Sequence, residues 1–152
     1  MHAWILVCDD EAHIRHIIAH KLRAVGFNVA EARDGGEAKA LLDPSAKEPL
    51  RPNLIITDFQ MPQVTGLELC MLLKTRPDTA KTPVLMLTAR GYTLTKEDLA
   101  RTNIQQVISK PFGVKLLLER VVSVLLTTCP ELIPSAARDL SKPDSDAGPV
   151  AA

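Results

Sequence analysis

Short apolar runs alternate along this chain with segments whose apolar positions recur every three or four residues. The first run, Ala3–Cys8 (AWILVC), has the unbroken apolar character of a strand covered on both faces. Ile14, Ile17, Ile18, Leu22 and Val25 then follow at helical spacing, and Gly26 is a helix stop. Phe27–Ala32 reads as a second strand, Asp34-Gly35-Gly36 as a turn and Glu37–Asp43 as a second helix. The proline-rich stretch Pro44–Pro52 is a loop. Leu54–Thr57, Pro83–Thr88 and Ile104–Ser109 are predicted strands, and Leu67–Thr75, Thr95–Thr102 and Val114–Leu126 the helices that follow them.

Five strands alternating with five helices predict an α/β domain, a doubly wound five-stranded parallel sheet over residues 1–128. After Cys129, Pro130, Pro134, Pro143 and Pro149 interrupt a run of Ser, Asp and Ala. The tail 129–152 is therefore expected to be disordered, with at most a short turn near Ser135–Leu140.

Composition narrows the class. Lys+Arg and Asp+Glu both total 18, so no global charge argues for direct nucleic-acid or membrane-surface binding. No apolar stretch reaches membrane-spanning length, and the N-terminus lacks the basic start and apolar region of a signal peptide. Cys8, Cys70 and Cys129 have unrelated spacings and read as buried reduced thiols, which with the missing signal favours a cytoplasmic location. His13, His16 and His20 share one helical face and read as solvated.

The candidate chemistry lies at the strand ends, where sheets of this kind bind ligands. Asp9 and Asp10 follow the first strand, Asp58 the third, Thr88 closes the fourth and Lys110 follows the fifth. Taken singly, each has an ordinary explanation: helix caps for the Asp pair and Thr88, a turn acid for Asp58, a solvated lysine for Lys110. Taken together they are a set. Three converging carboxylates resist joint ionisation, and a hard divalent cation such as Mg²⁺ relieves them. With an ammonium and a hydroxyl alongside, the set suits transfer of a phosphoryl group onto a carboxylate. Asp58 is then the nucleophile and Asp9 and Asp10 hold the metal.

The segments ILVCDDE (5–11), LIITDFQMPQVTGLEL (54–69), VLMLTA (84–89) and SKPF (109–112) resemble the receiver domain of two-component response regulators, over roughly residues 3–127. The resemblance implies a CheY-like, flavodoxin-like (βα)5 fold in a bacterial phosphorelay. It implies Asp58 as phosphoacceptor, Asp9, Asp10, Asp58 and the Gln60 backbone carbonyl as Mg²⁺ ligands, and Thr88 and Lys110 as phosphoryl contacts. A cis peptide before Pro111 is implied too. The phosphoryl donor would be a sensor histidine kinase or phosphotransfer protein, and an unidentified output protein would read the fourth-helix, fifth-strand, fifth-helix face. Homodimerisation through that face is left open.

The sequence departs from the family at Val107, where most members carry Tyr or Phe. Gln60 and Arg90 occupy two sites that tend to tune phosphoryl lifetime. Val107 motivates an alternative, a pseudo-receiver that binds partners without phosphorylation. A phosphoesterase with an Asp nucleophile fits less well, because Glu11 stands two residues after Asp9 and the isolated acid is on the third strand. Whether the chain acts alone or is part of a longer protein stays open.

Overall fold

The computed structural model describes residues 1–141. Its strands are β1 (Trp4–Cys8), β2 (Asn28–Ala32), β3 (Leu54–Asp58), β4 (Val84–Thr88) and β5 (Ile104–Ser109). Its helices are α1 (Ala12–Ala24), α2 (Gly35–Leu42), α3 (Gly66–Lys74), α4 (Lys96–Ala100), α5 (Val114–Thr128) and α6 (Ser135–Ser141). The strands form one parallel sheet in the order β2-β1-β3-β4-β5.

Strand residues alternate between two cores. Ile5, Val7, Ile56, Leu85 and Leu87 point to the face covered by α1 and α5, where Ile18, Leu22, Leu118, Val121 and Leu125 meet them. Leu6, Cys8, Ile55 and Met86 point to the opposite face, against Ala38 and Leu42 of α2 and Leu69 and Leu73 of α3. Central strands buried on both sides explain the unbroken apolar runs. Chain direction across the sheet reverses between β1 and β3, so their carboxyl ends bound a crevice.

Two expectations need correction. Gly35 and Gly36 are not a free turn but the first turn of α2, because Asp34 caps that helix by accepting the Glu37 N–H at 2.7 Å. Residues 129–141 of the tail are folded: Pro130–Leu132 make a 3-10 turn and α6 follows. The cause is apolar spacing between the prolines. Cys129, Ile133 and Ala137 are buried in the α1–α5 core, and the Ala3 N–H donates to the Leu132 carbonyl at 2.9 Å. Residues 142–152 of the expected disordered tail lie outside the described residues.

This docking predicts a measurable cost of truncation. Ending the chain at Thr128 is expected to lower the urea midpoint, with a loss of about 2–4 kcal/mol from the uncovered Ile133 and Ala137 contacts. An unchanged midpoint would show that the segment contributes nothing to the core.

Candidate functional site

All the strand-end residues singled out from the sequence meet at the carboxyl edge of the sheet. Asp9 is fully buried just past β1. Its N–H donates to the Ala32 carbonyl, its Oδ1 accepts the Glu11 N–H at 2.9 Å, and Arg15 donates to its carbonyl at 2.7 Å. Asp10 is exposed beside it. Asp58 ends β3, and Phe59 directly after it donates its N–H to the Leu87 carbonyl at 2.8 Å, which ties the acid to β4.

Lys110 supplies the positive charge. Its N–H donates to the Thr88 carbonyl at 2.8 Å, and the Lys110–Pro111 peptide is cis, as the resemblance implies. Its Nζ lies 3.1 Å from Asp9 Oδ2, 3.3 Å from Asp58 Oδ1 and 3.6 Å from Glu11 Oε1. The opening to solvent is lined by Asp10, Glu11, Asp58, Gln60, Ala89 and Lys110.

The three aspartates each offer an oxygen within 4.8 Å of the others. Burial pushes the Asp58 carboxyl up to about 6, the Asp9 charge adds to this, and Lys110 opposes it. Burial also raises Asp9, against the Glu11 N–H bond and Lys110. For Lys110, burial works against the charge, but Asp58 and Asp9 outweigh it and hold the ammonium above its usual range. The site thus gathers more acid than one lysine neutralises. An all-oxygen donor set of this size and charge suits a hard divalent cation such as Mg²⁺.

Thr88 contributes the other unbalanced group. It is 1% exposed, and its Oγ1 has no hydrogen-bond partner among the described residues. A buried hydroxyl without a partner is costly and uncommon, and it is available to an incoming acceptor.

Sequence reasoning missed two supports. Glu11 completes the acid set around Lys110, and its adjacency to Asp9-Asp10 was the available signal. Gly66 is the second. A Cβ there would lie 2.1 Å from the Asp58 carbonyl oxygen, so only glycine lets the start of α3 lie against the strand end. The thiols are buried as expected, with Cys8 pushed up to about 12 by burial. His13, His16 and His20 are exposed.

The family profile for the response regulator receiver domain matches residues 5–122. The chain belongs to the receiver domain family. Among curated relatives, this receiver domain is 35% identical over 134 residues to the phosphate regulon transcriptional regulatory protein PhoB of Rhizobium meliloti, covering 88% of this chain and 57% of that one. It is also 35% identical to the DNA-binding dual master transcriptional regulator RpaA of Synechocystis, covering 88% and 53%. The chain spans little more than half the length of these two relatives. Among solved structures, chemotaxis response regulator CheY4 of Vibrio cholerae superposes with a TM-score of 0.73 at 31% identity, covering 82% of this receiver and 100% of that chain. No helix among the described residues is long and apolar enough to cross a membrane.

Proposed function

We propose that this receiver accepts a phosphoryl group on Asp58 and thereby switches a protein-binding face. The observation that carries the reading is the Asp58 carboxylate held 3.3 Å from Lys110 Nζ, beside two further acids and near the sheet edge that holds the partnerless Thr88 hydroxyl. Asp9, Asp10, Asp58 and the Gln60 backbone carbonyl would hold Mg²⁺. When bound, that ion offsets the charge of the carboxylates and of the phosphoryl oxygens.

An Asp58 oxygen forms the new P–O bond as the donor's P–N bond to a phosphohistidine breaks, and the released imidazole takes up a proton. Lys110 balances the phosphoryl charge, and the Thr88 hydroxyl donates to one of its oxygens. The donor is a histidine kinase or a phosphotransfer protein. An apolar groove of about 500 Å³, lined in part by Ile14, Ile17, Phe112 and Val114, opens beside Lys110 and offers such a donor a docking surface. The output face comprises α4, β5 and α5, where Leu99, Val107 and Leu116 are exposed. The chemistry extends no further than self-phosphorylation and slow loss of the phosphoryl group, and this chain contacts no nucleic acid itself. A cytoplasmic location fits such a partner set.

Incubation with Mg²⁺ and acetyl phosphate, read by intact mass, is expected to give one phosphoryl adduct that disappears in Asp58→Asn and without metal. An adduct that persists in Asp58→Asn would remove Asp58 from the role. Exposure of Val107 keeps the pseudo-receiver as the second reading. Equal affinity of the output partner for both forms would favour it.

A further inference from the structure

The family's usual aromatic is replaced by Val107, but an aromatic pair stands elsewhere beside the acceptor. Phe59, the residue after Asp58, stacks on Tyr92 with ring centroids 4.3 Å apart and planes tilted by 35°. The two rings differ in how they are held. The backbone of Phe59 is fixed on both sides: its N–H donates to the Leu87 carbonyl, and its own carbonyl accepts the Gly66 N–H, both at 2.8 Å. Tyr92 is 41% exposed and sits in the loop that leaves Thr88, after Gly91 at φ +84°. That loop leads through Leu94 into α4.

The helix α4 is weakly held. None of its residues is buried, and its N-terminus depends on the Thr95–Asp98 capping box and on Leu94, which is buried against the α2–α3 core. Leu94 is thus the buried anchor of a helix that has none of its own, and a movement of the β4–α4 loop that shifts Leu94 passes to α4. On the Thr88 side, the Oγ1 has no partner to give up when it turns toward a group on Asp58.

We propose that the Phe59–Tyr92 stack is the latch that holds the β4–α4 segment in its resting position, and that a phosphoryl group on Asp58 opens it. Thr88 turns toward the phosphoryl oxygen and draws the loop with it. Tyr92 slides off the ring of Phe59, whose backbone stays bonded to Leu87 and Gly66, and α4 is released at the output face. The inference rests on the reading of Asp58 as the acceptor. It places the reporting aromatic on the loop after β4, where this chain has a ring, and not on β5, where it has Val107.

The chain contains one tyrosine, so 3-fluorotyrosine labelling gives a single ¹⁹F resonance, that of Tyr92. In a sample shown by intact mass to carry the adduct, this resonance is expected to move. In the unphosphorylated protein, Tyr92→Ala is expected to speed exchange of the α4-closing amides Leu99 and Arg101 by about 2- to 10-fold, toward the phosphorylated wild-type rate. Tyr92→Phe, which keeps the ring, is expected to exchange at the resting rate. A resonance that stays fixed while the adduct is present would overturn the latch, as would unchanged α4 exchange in Tyr92→Ala. If no adduct forms on Asp58, the reading beneath the latch fails and the latch with it.

Discussion

Gly66→Ala is expected to lower the unfolding free energy by about 3 kcal/mol, among the larger effects of a single added methyl group. The added Cβ would stand 2.1 Å from the Asp58 carbonyl oxygen, 3.0 Å from its carbonyl carbon and 3.2 Å from Met86 Sδ. No side-chain rotation relieves a clash between two backbones. The start of α3 must retreat from β3, and the hydrogen bond from the Gly66 N–H to the Phe59 carbonyl, 2.8 Å long, is lost with it. Because the same movement displaces Asp58, yield of the phosphoryl adduct should fall along with the urea midpoint. A midpoint equal to wild type would show that the contact is not tight in solution.

Asp58→Asn should act in the opposite direction on stability: in metal-free protein near neutral pH it is expected to be more stable than wild type by about 1–3 kcal/mol. The Asp58 carboxyl is raised from 3.8 to about 6, chiefly by burial and then by the Asp9 charge, so ionising it works against the fold. Lys110 keeps Asp9 at 3.1 Å and Glu11 at 3.6 Å when Asp58 loses its charge, so the substitution does not strand the ammonium.

The sign follows from proton binding. Between 3.8 and about 6 the folded protein holds more protons than the unfolded chain. The Asp58 contribution should therefore stabilise metal-free wild type as the pH is lowered through that window and be lost as the pH rises. The raised Asp9 carboxyl adds in the same direction. Asp58→Asn should show a smaller gain, and Mg²⁺ near neutral pH should stabilise wild type more than the variant. Thermal melts across pH, with and without Mg²⁺, check this. Equal pH profiles for the two proteins would remove Asp58 from the excess charge.

The sheet and its order of elements were legible because the burial that forms them leaves a one-dimensional trace. Ile5, Ile55 and Leu85 occupy central strands covered on both sides, so their runs are apolar throughout. The candidate site was legible for a related reason: a strand end is a fixed address, and Asp9, Asp58, Thr88 and Lys110 each stand at one. What stayed hidden depends on contacts between distant segments. Ile133 and Ala137 look like isolated apolar residues in a proline-rich tail until Ala3 and the α1–α5 core are beside them. Gly66 looks like a loop glycine until the Asp58 carbonyl is found against it. The Phe59–Tyr92 stack joins residues on two different loops, and no local periodicity links them.

The most direct test of the phosphoacceptor is to trap its product chemically. Protein treated with Mg²⁺ and acetyl phosphate is reduced with borohydride, which converts an aspartyl phosphate to homoserine, and peptides spanning the strand ends are sequenced by mass spectrometry. Homoserine at position 58, with Asp9 and Asp10 unchanged, is the predicted result. Homoserine at another aspartate, or phosphate retained on His13, His16 or His20 with Asp58 intact, would contradict the assignment.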